Sequence, residues 1–312
     1  MRSCRNVPRH FLFLLAWLVV FPATAAGMVN LIASEEDGAY REVVDAFREA
    51  YASPRTLRYW ALSDLDGQRI RALTGENDLI VPIGLKAAKA VATHHVGQAS
   101  VLTLMVPHVS AQRLDWPFPL GRGRVAHVHI DQPANRTLNL MEMVFPRARR
   151  VGLVVSAENG EIVKAFQQEA ERRRLSLKVE RVEDETEVAR ALREVLPESD
   201  VLLLVPDSIA FHAGNARNVL LTTYRYRVPV VGFSPGLSKA GAVAAVYSSP
   251  AQIGRQGAQL ALRWKPESGE LPPSQAANEF SISFNPYVAR SLGVALPDLG
   301  EVGRKLGASV EP

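Results

Sequence analysis

The sequence predicts an α/β protein made of two doubly wound parallel-sheet lobes that face one another across a cleft. Three observations lead there. Short β-rich runs alternate with longer amphipathic patterns along most of the chain, as repeated strand-helix-strand units require. Several runs are apolar at every position, such as Leu79-Ile80-Val81-Pro82-Ile83 and Val201-Leu202-Leu203-Leu204-Val205, which marks strands covered on both faces. The runs are also too many for one ordinary sheet. The turn-rich segment Asp131-Gln132-Pro133-Ala134-Asn135 divides them into two sets.

In chain order the strands are expected at Val29 to Ala33, Leu57 to Ala61, Leu79 to Ile83, Val101 to Val106 and Val125 to Ile130. They continue at Arg150 to Val155, Leu175 to Val182, Val201 to Val205, Val228 to Phe233 and Ala242 to Val246. Amphipathic helices are expected at Tyr40 to Tyr51, Lys86 to His95, Thr137 to Phe145, Glu161 to Arg174, Glu185 to Leu196 and Ala251 to Trp264. From Ile162 to Leu175, for example, Ile162, Val163, Phe166, Ala170 and Leu175 form one apolar stripe among charged neighbours.

The first residues read as an export signal. Arg2, Arg5 and Arg9 precede an apolar run from Phe11 to Phe21, and Pro22 leads into the small residues Ala23, Thr24, Ala25 and Ala26. Residues 1–26 are therefore expected to be removed, with the product delivered to the periplasm. Cys4, the single cysteine, would leave with that segment, which excludes disulfides, cysteine-zinc sites and cysteine nucleophiles from the remainder. The 36 Lys+Arg against 32 Asp+Glu give a formal charge of +4. Three of those arginines lie in the signal, so nothing in the balance calls for nucleic acid. The glycine-rich dinucleotide and P-loop fingerprints are absent, and no cofactor is expected.

The second half carries a recognisable order of pieces: Phe145-Pro146-Arg147-Ala148-Arg149-Arg150-Val151-Gly152-Leu153-Val154, then Ser199-Asp200-Val201 through Val205-Pro206-Asp207. Val228-Pro229-Val230-Val231-Gly232-Phe233, Ile253-Gly254-Arg255-Gln256-Gly257-Ala258 and the closing Phe280 to Asn285 and Ala289 to Val294 follow. In this the chain resembles the ABC-transporter substrate-binding protein family of the type I periplasmic binding fold, whose better-described members bind aromatic amino acids. The resemblance implies three crossings between lobes, near Asp131, Tyr247 and Ala277. Lobe one would hold residues 27–130 and 249–275, lobe two residues 131–248 and 276–300, and residues 301–312 would form a C-terminal tail. It also implies a monomer that binds a small molecule and presents it to a membrane permease, or alternatively signals to a membrane sensor.

In such folds ligands sit beyond the carboxyl ends of the strands. The candidate ligand-binding residues are accordingly Ser34 and Glu35 after the first strand, Gly84, Leu85 and Lys86 after the third, and Pro107 after the fourth. Ser156, Asn159, Asp207, Ser208, Phe233, Ser234 and Tyr247 come from the second lobe. Ser34 and Asp37 also have capping-box spacing, and Asp207 equally suits a cap on the next helix. Family members often have Gly-Thr-Pro where Gly84-Leu85-Lys86 stands, and Thr-Asp-Pro where Pro107-His108 stands. The missing aspartate together with Lys86 inclines the expected ligand towards a carboxylate-bearing molecule.

Gly232-Phe233-Ser234-Pro235-Gly236 fits the nucleophile-elbow pattern of serine hydrolases. Pro235, however, has no N–H for an oxyanion hole, and no histidine follows Ser234 in the chain, so no catalytic residue is expected. His127 and His129 alternate on a strand and share a face, but no acidic cluster near them in sequence completes a site, so no metal is expected.

Overall fold

The computed structural model describes residues 27–311 except 76, 96, 117, 119–123 and 212–213; the export-signal segment 1–26 lies outside the described residues. The first half supplies β1 (Val29–Ala33), α1 (Gly38–Ala50), β2 (Leu57–Ala61), α2 (Gly67–Ala72), β3 (Leu79–Ile83), α3 (Leu85–His94), β4 (Ser100–Val106), α4 (His108–Gln112) and β5 (Val125–His129). The second supplies α5 (Ala134–Val144), β6 (Arg150–Ser156), α6 (Gly160–Arg173), β7 (Ser176–Val182), α7 (Val188–Val195), β8 (Val201–Leu203), α8 (Ala216–Arg225), β9 (Val230–Gly232), α9 (Pro235–Ala240) and β10 (Ala244–Tyr247). The chain ends with α10 (Pro250–Leu262), β11 (Gln275–Ala276), β12 (Ser281–Phe284), α11 (Pro286–Leu292), α12 (Leu299–Leu306) and β13 (Ser309–Val310).

These strands make two sheets. The first has the order β11-β5-β4-β3-β1-β2 and is parallel throughout; the second has the order β13-β12-β10-β9-β8-β6-β7, with β10 and β12 antiparallel. The strands read as continuously apolar, β3 and β8, lie in sheet interiors and are fully buried, because helices cover both faces. The chain passes from the first sheet to the second after β5, returns through α10 to β11, and crosses again into β12.

Helix α10 packs along α1 and over β4, and two glycines make those approaches possible. A Cβ on Gly254 would stand 2.4 Å from the Val43 carbonyl oxygen, and one on Gly257 would stand 2.6 Å from Leu104 Cδ1. The three crossings lie side by side and are tied together. The Arg136 guanidinium donates to Gln132 Oε1 at 2.7 Å and to the Ala277 and Asn278 carbonyls, and it stacks 4.0 Å from the Phe280 ring centroid. Gln132 Nε2 donates to Ser248 Oγ, which donates to the Glu279 carbonyl.

One expectation is overturned here. In place of the expected tail over 301–312, Leu299–Leu306 form α12 with Val302 buried, and Ser309–Val310 extend the second sheet alongside β12. Asp298 caps α12 by accepting from Glu301 N at 2.7 Å, and Gly307 ends it in the left-handed conformation.

Candidate functional site

The carboxyl ends of β3 and β4 in the first sheet face those of β8 and β9 in the second. Between them is a cleft of about 500 Å³. The first lobe contributes Leu85, Pro107 and Ser110, and the crossing after β5 contributes Ile130; Pro206, Ser208, Phe211, Phe233, Ser234 and Leu237 face them from the second. Phe211 and Phe233 meet edge to face with centroids 5.6 Å apart. Polar groups on this wall are mainly serine hydroxyls, and among the described lining residues there is no lysine, arginine or histidine.

A local irregularity aims the first-lobe wall. Met105 adopts a φ of 60°, and the pairing of β4 with β5 shifts register between Leu104 and Val106. A bulge of this kind turns the end of a strand. Pro107 is thereby set on the cleft and His108 at the start of α4.

Of the sequence-predicted residues, Leu85, Pro107, Asp207, Ser208, Phe233 and Ser234 are brought together on this cleft. Asp207 has a different task from the one expected. Its Oδ2 accepts from Ser156 N at 2.7 Å and from Asn159 Nδ2, and its Oδ1 accepts from Ile209 N at 2.9 Å and Ala210 N at 2.8 Å. With four donors on a buried carboxylate, it clasps the β6–α6 loop to the β8–α8 loop instead of offering an oxygen to a guest. Ser156 and Asn159, both buried, are the other half of that clasp, so they act behind the wall and not on it.

Ser34 does not cap its own helix. Its hydroxyl donates to the Ile83 carbonyl at 2.8 Å and accepts from Ala87 N at 3.0 Å, so it caps α3, whose first residue follows a glycine without a side chain to do so. Gly84 has a φ of +87°, and a Cβ there would stand 2.4 Å from Tyr40 Cε1. Lys86 pairs with Glu35 at 2.9 Å on the exposed rim, outside the cleft lining. That pair engages the cation on which the expectation of a carboxylate-bearing ligand rested. Tyr247 is not in the cleft: its buried hydroxyl donates to Glu311 Oε2 at 2.7 Å, and burial raises its pKa. Ser234 Oγ accepts from Leu237 N at 3.2 Å as the cap of α9, and no hydrogen bond joins it to a histidine among the described residues.

Beside the cleft the structure assembles a group that is only half visible in sequence. His108 joins His127 and His129, with ring centroids 5.1 Å from His127 and 5.2 Å from His129. His108 Nδ1 is 2.9 Å from His127 Nε2, and His108 Nε2 is 3.2 Å from Glu161 Oε2 across the lobe boundary. His129 Nδ1 lies 3.4 Å from Asp131 Oδ2, which also accepts from His108 N at 2.7 Å. Burial, then the neighbouring His129 and His108, push the His127 imidazole down to about 3, against the opposing pull of Asp131. Arg113 pairs with Glu158 on the same flank, so this side of the molecule holds the lobes together. The alternation of His127 and His129 was legible, with Asp131 two residues on; His108 and Glu161 were missed because one comes from the end of the neighbouring strand and the other from the second lobe.

Comparison with known proteins fits this architecture. Residues 65–301 match the model of the family described as ABC transporter substrate binding protein. No curated protein matches the chain. Among solved structures, the chain is similar to an ABC domain in complex with L-Trp from Streptococcus pneumonia, at 16% identity and a TM-score of 0.63 over 91% of this chain and 100% of that one. It is similar to a conserved domain protein from Vibrio cholerae, at 18% identity and a TM-score of 0.64 over 92% and 100%. It is also similar to the ligand-free, open structure of CD0873, a substrate binding protein with adhesive properties from Clostridium difficile, at 17% identity and a TM-score of 0.66 over 91% and 99%. With two wound lobes about a cleft and a family match over most of its length, the chain belongs to the ABC transporter substrate binding protein family.

Proposed function

We propose that the protein is a periplasmic solute-binding component of an ABC-type uptake system, and that it encloses a small, largely apolar molecule between its lobes. The observation that carries this reading is the cleft itself, which draws its wall from strand ends of both sheets. Lobe closure over such a guest would bury it and present a new surface to a permease. No helix among the described residues is long and apolar enough to cross a membrane.

The lining selects the ligand class. Leu85, Pro107, Ile130, Phe211, Phe233 and Leu237 favour a flat aromatic or branched aliphatic body. Ser110, Ser208 and Ser234 can orient one or two polar groups upon it. A member of the fold described in complex with L-Trp has a ligand of that kind.

Thermal unfolding of the purified chain against aromatic and aliphatic amino acids, indoles, nucleosides and sugars tests the reading. A ligand of the proposed class at about 100 times its Kd stabilises the fold by about 2.7 kcal/mol. Phe233→Ala weakens its binding about tenfold, equivalent to about 1.4 kcal/mol. Stabilisation by sugars alone, with Phe233→Ala without effect, contradicts the assignment.

A further inference from the structure

His108, His127 and His129 form an imidazole cluster at the carboxyl ends of β4 and β5, and we propose that it is a binding site for one divalent first-row transition metal ion of the zinc, copper, nickel or cobalt kind. The site is separate from the cleft ligand, although Pro107 and Ile130, next in sequence to His108 and His129, line the cleft. Each ring can offer a ligand nitrogen, and the three nitrogens lie within 4.8 Å of one another. Imidazole nitrogens bind zinc at about 2.0–2.1 Å, so two of them on one tetrahedral ion stand roughly 3.4 Å apart. The 2.9 Å separation of His108 Nδ1 and His127 Nε2 needs only a small widening to admit the ion. The proton that bridges those two nitrogens passes to an outer ring nitrogen by tautomer exchange, so none need be lost.

The surroundings have the form that metal-bound histidines require. A carboxylate behind the ring fixes its orientation and raises its basicity. Glu161 Oε2 stands behind His108 at 3.2 Å, and Asp131 Oδ2 stands by His129 at 3.4 Å. An all-imidazole donor set suits zinc, copper or nickel and disfavours magnesium and calcium, which take oxygen ligands. Because Glu161 comes from the second lobe, loading the ion would strengthen the contact between lobes.

The purified chain, without a histidine tag and stripped by chelator, is titrated with ZnCl2, NiCl2 and CoCl2 by calorimetry and with CuCl2 for pulsed electron paramagnetic resonance. One saturable ion per chain is expected, with imidazole nitrogen modulation in the copper spectrum. His108→Ala and His129→Ala, both partly exposed positions, are expected to weaken zinc by more than 100-fold, and Glu161→Gln by about 10-fold. Circular dichroism confirms that each variant is folded; if one is not, the copper spectrum of the unaltered chain decides. Absence of saturable binding by zinc, copper, nickel and cobalt overturns the proposal. So does binding that is equally tight in folded His108→Ala and His129→Ala, or a copper site without imidazole nitrogen.

Discussion

At Asp207 a single carboxylate holds two loops, and its removal exposes what the cleft wall rests upon. Asp207→Ala strands the amides of Ser156, Ile209 and Ala210 and leaves Asn159 Nδ2 with the Ser156 hydroxyl alone. Each buried donor left without a partner costs about 1–3 kcal/mol, and some of these regain water, so a loss of about 3–5 kcal/mol is expected in urea unfolding. Asp207→Asn, which keeps one acceptor oxygen, should lose less. Equal stability of wild type and Asp207→Ala would contradict the clasp. An aspartate after a strand is readable as either a ligand group or a cap, and the choice depends on what approaches it from Ser156 and Asn159, some 50 residues earlier in the chain. Ser34 poses the same difficulty: its spacing to Asp37 suggests a capping box, but α1 has no side-chain cap and the hydroxyl serves α3 instead.

Local periodicity made most elements legible, because buried strands and amphipathic helices write their own patterns. β1, β2 and β3 run over the residues read from sequence, whereas β8 and β9 are shorter than their apolar runs: Leu204 and Val205 continue beyond β8 to line a small cavity with Ile162 and Phe166, and Phe233 continues beyond β9 towards the cleft. Short helices such as α4 and α9 have too few turns to show a period, and they flank the cleft. The α1–α10 contact is a further case, since the sequence gives Gly254 and Gly257 without saying which neighbour comes close. Gly254→Val puts a side chain against the Val43 carbonyl and should cost about 1–3 kcal/mol or more, read as a lower midpoint in thermal unfolding. Gly160→Ala is the control, because a Cβ there meets nothing within 4 Å.

At the scale of the molecule, two wound sheets and the break near residue 131 followed from the number of strands and one turn-rich bridge. What could not follow was the juxtaposition of lobes: the meeting of Leu85 and Pro107 with Phe233, or of His108 with Glu161, is fixed by crossings far apart in sequence. Three crossings bound by Gln132, Arg136 and Ser248 make a compact hinge, and the ends of β3, β4, β8 and β9 are then brought face to face. The central claim is that a guest in this gap touches both lobes at once. A crystal structure of the protein with the ligand that most stabilises it tests this most directly. The account predicts that molecule between Leu85 or Pro107 on one side and Phe233 on the other; a ligand seated on one lobe alone, or away from the cleft, would contradict it.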